Sequence, residues 1–143
     1  MESISHSESE TKQIAQTFAS ELKAGDIIVL YGDMGAGKST FTKGLAQGLG
    51  IEKDITSPTF PLMNVYDVNT PNSNIKIFIH IDTYRLKDAD ELKAIGVEEY
   101  LGAANTLTVI EWPEKIEGLL QEKNVKKIIL EHVNQGERKI TIE

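Results

Sequence analysis

The sequence predicts a layered α/β fold with a mixed central sheet, and three observations carry that prediction. Short apolar, β-branched runs recur along the chain, at 27–31, 75–82, 106–110 and 127–133, each short enough for a strand and bounded by polar or turn residues. Segments with helical spacing precede or separate them, at 9–22, at 41–49 and from 88 onward. Two pairs of runs, 60–68 with 75–82 and 127–133 with 139–142, are joined by dense polar turns, the mark of antiparallel hairpins. Alternating strands and helices call for parallel pairing around the 27–31 run, and the hairpins add antiparallel strands. With 143 residues the chain is read as one domain, 1–143, with enough length for a sizeable core.

Taken in order, residues 1–8 are polar and read as a loose end. Ser9 to Leu22 places Ile14, Phe18 and Leu22, with Ala15 and Ala19, on one helical stripe, with Ser7 or Ser9 as its cap. Ala24-Gly25-Asp26 stops it. Ile27 to Tyr31 is the first strand, and Phe41 to Leu49 continues helically until Gly48-Leu49-Gly50. In the 75–82 strand the isoleucines fall on one face, with His80 and Asp82 on the other. Asp88 starts a helical stretch as its cap, carrying Leu92, Ile95 and Leu101 around Gly96. Thr106 to Ile110 is a strand that ends in Glu111-Trp112-Pro113, and Pro113 opens a short helix to Gln121. The chain closes on the hairpin around Asn134-Gln135-Gly136.

Between the first strand and its helix stands Gly32-Asp33-Met34-Gly35-Ala36-Gly37-Lys38-Ser39, followed by Thr40. It fits G-x-x-x-x-G-K-[ST] in the strand–loop–helix context that makes the pattern a phosphate-binding P-loop. The glycines let successive backbone N–H groups turn inward as an anion nest, and the helix N-terminus adds its positive field. Lys38 is expected to reach the β- and γ-phosphates, and the Ser39 hydroxyl to ligate Mg2+. The expected ligand is a nucleoside triphosphate, and the expected architecture is the three-layer sandwich of P-loop NTPases. Ligands of such sheets lie beyond the carboxyl ends of the strands. That places Asp82 and Glu111, both at strand ends, beside the loop. Nucleotide hydrolysis needs a carboxylate on the metal side and a group that orients water. Spacing does not divide those roles between the two acids, and a solvent-facing strand-end acid is the alternative for either one alone.

The remaining polar residues are more ambiguous. Thr56-Ser57-Pro58-Thr59-Phe60 is either a switch-type loop that senses γ-phosphate or an ordinary surface turn. His80 reads as a packed core histidine without a partner pattern. Arg85 pairs either with a phosphate or with an acid. Thr11 reads as a solvated or capping hydroxyl, and Trp112, the only tryptophan, as a core residue near the phosphate site.

Charge and composition bound the function. A net charge of −7 has the wrong sign for a chain that grips nucleic acid alone. Arg85 and Arg138 are the only arginines, and no lysine run forms a nucleic-acid footprint. The absence of cysteine excludes disulfides and thiolate metal sites. No apolar run is long enough to span a bilayer and the first residues lack a signal-peptide layout, so a cytoplasmic location is expected.

Four blocks, GDMGAGKST at 32–40, SPTF at 57–60, HIDTYRL at 80–86 and EWP at 111–113, resemble in order and spacing the TsaE-type ATPases of bacterial tRNA threonylcarbamoyladenosine synthesis. The resemblance implies a Mg2+-dependent ATPase required for that modification, with ATP and Mg2+ as cofactors. It implies docking on a heterodimer of the transferase subunit and its inactive paralogue, so that tRNA is contacted only indirectly. It implies ATP contacts by residues 32–40, by Thr11 near the adenine, by Thr59 in the switch loop and by Trp112 supporting the site. Ser39 and Glu111 would bind the metal; Lys38 and Asp82 would be catalytic, Asp82 through water or the metal's outer shell. Two departures stand out. Ser39 replaces the threonine common in the family and keeps the hydroxyl, and Glu137 separates Gly136 from Arg138, which weakens any nucleotide role for Arg138.

Rival readings come from other classes. A GTPase lacks its N-K-x-D and D-x-x-G motifs here. A small-molecule kinase of the P-loop class needs an arginine-rich lid that two arginines do not supply. A nucleotide-dependent binding module with incidental hydrolysis would tolerate Asp82→Ala but not Lys38→Ala.

Overall fold

The structure is a computed structural model, which describes residues 1–33, 35–56, 63–71, 73–84, 86–121 and 123–143. Its elements in chain order are β1 (Glu2–Ser5), α1 (Glu8–Ala19), β2 (Ile27–Tyr31), α2 (Lys38–Gly48), β3 (Met63–Asp67), β4 (Ile77–Asp82), α3 (Ala89–Ala94), α4 (Val97–Tyr100), β5 (Thr106–Glu111), a 3-10 segment (Pro113–Leu120), β6 (Val125–Asn134) and β7 (Glu137–Ile142). The strands form one sheet in the order β1-β7-β6-β2-β5-β4-β3. β2 is parallel to β5 and β6, and β4 is parallel to β5. The β3–β4 and β6–β7 hairpins are antiparallel, as their turn chemistry predicts.

Two cores explain why the central strands carry so little polarity. Ile28, Leu30, Phe78, Val109 and Leu130 meet Phe18, Phe41 and Leu45 of α1 and α2 on one face. Ile27, Val29, Ile79, Ile81 and Ile110 meet Leu92, Val97, Ile116 and Leu120 on the other. A strand covered on both faces must be apolar throughout, so β2 reads as an unbroken run rather than an alternation. Each such fully buried side chain contributes about 1.5–3 kcal/mol, which makes these strands a rigid base for whatever sits at their carboxyl ends.

Two glycines let the helix pair α1 and α2 pack closely. A Cβ on Gly44 would lie 2.6 Å from the Ala15 Cβ and 2.7 Å from the Lys12 carbonyl oxygen, and one on Gly48 would lie 2.6 Å from the Ala19 Cβ. None of these atoms is a flexible side-chain tip. Gly44→Ala is therefore expected to lower unfolding stability by about 1–3 kcal/mol through overpacking, although alanine is the better helix former. Thermal melts of the purified variant check this.

The structure corrects several expectations at the ends of elements. Residues 1–8 are not a loose end: β1 pairs antiparallel with β7, with Ser3 opposite Ile140. α1 is capped by Ser7, whose side chain accepts the Glu10 N–H at 3.1 Å, while the Glu10 carboxylate accepts the His6 N–H at 2.6 Å. The cap thus satisfies a first-turn N–H, and the Glu10 carboxylate reaches one residue past it to hold the incoming chain. α2 begins at Lys38 rather than Phe41, so the P-loop lysine and serine are already helical. Ile75 precedes β4 and joins the α1–α2 core instead of the face that holds Ile77, Ile79 and Ile81. The helical stretch after Asp88 is two short helices broken at Gly96, whose φ is 80°. Among the described residues no helix is long and apolar enough to cross a membrane.

Candidate functional site

The site is built where β2, β5 and β4 end side by side. β2 runs into residues 32–37, and the chain re-enters a helix at Lys38. Gly32 has to be glycine for space: a Cβ there would stand 2.7 Å from the Leu130 carbonyl oxygen of β6. Gly37 caps α2 in the left-handed region, at φ 103°, and no side chain caps the helix in its place. The first N–H groups of α2 are thus left for an incoming anion.

Lys38 is almost wholly buried, 5% exposed. Its ammonium donates to the Gly32 carbonyl oxygen, stands 3.4 Å from that of Asp33 and lies 3.4 Å above the centre of the Trp112 ring. Burial pushes the Lys38 ammonium below the usual lysine range, and the Glu111 carboxylate opposes that shift. The lysine is held at the mouth of its own loop by dipoles and an aromatic face.

Both predicted carboxylates arrive there. Asp82 of β4 and Glu111 of β5 are register partners, and Glu111 is in turn paired with Leu30 of β2. Their environments differ. Glu111 is 3% exposed; its Oε1 stands 3.5 Å from the Ser39 hydroxyl and its Oε2 stands 2.5 Å from the His80 Nε2. Asp82 is half-buried and its Oδ1 accepts the Tyr84 N–H at 3.0 Å. Burial pushes the Asp82 carboxyl above the ordinary carboxylate range, against the Tyr84 N–H that favours the charged form. The two acids are therefore held differently: Glu111 has neighbours on both oxygens, and Asp82 is half-buried with Oδ1 on the Tyr84 N–H.

Three features at this end of the sheet escape sequence reasoning. His80 is buried as expected but has a partner, Glu111, so it is not simply a packed core histidine. Local spacing puts His80 on the face of Asp82 but does not point to Glu111, which lies on the neighbouring strand. Thr83 is fully buried, and its hydroxyl donates to the carbonyl oxygens of Glu111, at 3.1 Å, and of Trp112. It thereby clasps Trp112, which adopts the left-handed region at φ 60°, uncommon for a bulky residue. Trp112 is not core: its ring leans on the half-exposed Tyr84 ring, 5.0 Å between centres, and faces Lys38. Third, the Arg138 guanidinium donates to the Gly35 carbonyl oxygen at 3.2 Å, so β7 reaches the P-loop despite the interposed Glu137.

Thr11 is neither solvated nor a cap. It is buried, and its hydroxyl lies 2.7 Å from the Ser5 hydroxyl, tying α1 to β1. Gly35, Ala36 and Thr40 occupy the loop and first helical turn as expected. Met34, Thr59 and Arg85 lie outside the described residues.

Ser39 and Glu111 supply two hard oxygen donors side by side, which suits Mg2+. Among the described residues no cluster of three or more His, Cys, Asp or Glu side chains forms an all-protein metal cage. A metal completed by phosphate oxygens and water is the arrangement that such a pair fits.

A strand that feeds a glycine loop and then a helix without a side-chain cap, within a sheet of parallel centre and antiparallel flanks, defines a P-loop protein. Residues 5–140 match the family model described as "Threonylcarbamoyl adenosine biosynthesis protein TsaE". The chain belongs to this TsaE family. It is 39% identical over 132 residues to the tRNA threonylcarbamoyladenosine biosynthesis protein TsaE of Bacillus subtilis, covering 92% of this chain and 78% of that protein. With the protein of the same name from Treponema pallidum it shares 37% identity over 142 residues, 99% of each chain. A crystal structure of Bacillus subtilis YdiB superimposes with a TM-score of 0.79 at 32% identity, covering 99% of this chain and 83% of that one.

Proposed function

We propose that this chain binds Mg2+ and ATP and hydrolyses ATP in support of threonylcarbamoyladenosine modification of tRNA. The observation that carries the reading is the convergence at the P-loop of Lys38, Ser39, Glu111 and Asp82, in a chain whose relatives are named for that biosynthesis. The names carried by these relatives favour it over a small-molecule kinase.

In this reading the phosphates lie on the amides of residues 32–40, and Lys38 leaves the Gly32 carbonyl and the Trp112 ring for the β- and γ-phosphates. Ser39 and Glu111 would hold the metal, whose charge, when bound, would offset that developing on the transferred phosphoryl group. Asp82, half-buried and with raised proton affinity, orients the attacking water. Trp112 and Tyr84 wall the phosphate end. Thr11, anchored on Ser5, borders the adenine, and Thr59 belongs to the switch loop.

The partner is a transferase subunit with its inactive paralogue, in the cytoplasm. The net charge of −7 supports a division of labour in which those partners, not this chain, hold the tRNA. Phosphate release from Mg-ATP, measured with and without the purified heterodimer and with Lys38→Ala as blank, tests the reading. At least about tenfold stimulation by the partner is expected, since sites of this class are commonly completed by a neighbour. Equal rates with and without the heterodimer would remove the partner from the reading. Release that appears only on addition of a metabolite acceptor would replace it with a kinase.

A further inference from the structure

We infer that His80 is a positioning residue for the metal site, acting through Glu111. The inference rests on the reading above, in which Glu111 holds Mg2+. The two carboxylate oxygens of Glu111 have different neighbours: Oε2 stands 2.5 Å from the His80 Nε2, and Oε1 stands 3.5 Å from the Ser39 hydroxyl. A carboxylate only accepts, so Nε2–H is the donor. That bond uses up one oxygen and aims the other at Ser39.

Geometry makes this control strong. His80 and Glu111 are 1% and 3% exposed, so water does not stand in for the imidazole. Both project to the face that carries α2: Asp82, two residues along the strand from His80, is the register partner of Glu111. The main chain at Glu111 is fixed separately, since its carbonyl oxygen accepts both the N–H and the hydroxyl of Thr83 at 3.1 Å. With the backbone held by Thr83, the remaining freedom of Glu111 is rotation of its side chain, and His80 is the group that removes it. Partners that hydrogen-bond a ligating carboxylate set its orientation, and their loss commonly weakens metal affinity without changing the ligand set. Among the described residues the other ring nitrogen, Nδ1, has no hydrogen-bond partner. The polar contact that this histidine makes there is thus the one to Glu111.

The test compares two amides. His80→Gln can present an N–H near the position of Nε2, whereas His80→Asn is too short to reach Glu111. Fluorescent ADP binding is titrated with Mg2+ for the wild type and both variants, and repeated in EDTA. In EDTA all three are expected to bind alike, because the P-loop amides are untouched. The Mg2+ midpoint is expected to rise about 10–100-fold in His80→Asn and to stay within about threefold of wild type in His80→Gln. If His80→Asn unfolds at assay temperature, His80→Phe, which fills the ring's volume without a donor, takes its place. An unchanged midpoint in the variant without a donor overturns the inference, as does a His80→Gln as impaired as His80→Asn. Wild-type binding indifferent to Mg2+ would instead strike at the metal reading itself, and that shows before any variant is compared.

Discussion

Replacing Lys38 by alanine is expected to lower ATP turnover by about 10²–10³-fold, the scale on which one fixed donor to developing negative charge acts in an enclosed site. The effect is large because, among the described residues, nothing nearby takes over. Among the described residues the other cation at the loop is Arg138, and its guanidinium is spent on the Gly35 and Glu137 carbonyl oxygens. Fold damage should be small, since the Lys38 contacts are to carbonyls of its own loop and to one ring face. Phosphate release at saturating Mg-ATP, set beside a thermal melt, measures both halves of the expectation. The single tryptophan supplies an internal control: with the ammonium gone from above the Trp112 ring, its emission should shift in the variant without nucleotide.

Asp82→Asn is expected to cut kcat by about 10²–10⁴-fold, the range for loss of a positioned proton acceptor, while Mg-ATP affinity is kept. The substitution is chosen because the asparagine oxygen can still accept the Tyr84 N–H, so this contact survives. Single-turnover hydrolysis together with equilibrium binding separates the possibilities. Affinity and kcat falling together would place Asp82 among the groups that hold the metal. Affinity held with kcat lost places it on the water. Asp82→Ala removes the turn contact as well, and is the less informative variant.

The centre of the fold was legible because burial on both faces leaves a strong mark. The run 27–31 and the hairpin turns at 69–74 and 134–136 follow from apolar composition and turn chemistry, and β2 spans the expected residues. β1 left no such mark. Glu2-Ser3-Ile4-Ser5 holds one apolar side chain, and what makes it a strand is backbone pairing to β7, distant in sequence. The P-loop, Asp82 and Glu111 were legible for a different reason: a loop motif and strand-end acids are local patterns, and the α/β layout brings them together. The contacts of His80, Thr83 and Arg138 arise across strands. Each depends on register between β4 and β5, or on how far β7 leans toward the loop, and neither quantity is written in local spacing.

The pairing of β1 with β7 also bears on synthesis. The strand made first finds its edge on a strand made near the end, with Ser3 opposite Ile140 and Ser5 opposite Arg138. β7 itself depends on β6, and β6 lies along β2. On a translating ribosome, β2 and α2 can leave the exit tunnel long before the strands that border them exist. Such non-local closure is slow and leaves strand edges exposed meanwhile. The nascent chain should therefore stay sensitive to protease and available to chaperones until β7 emerges. Ser5, whose hydroxyl lies against that of Thr11, ties α1 to this late-formed edge.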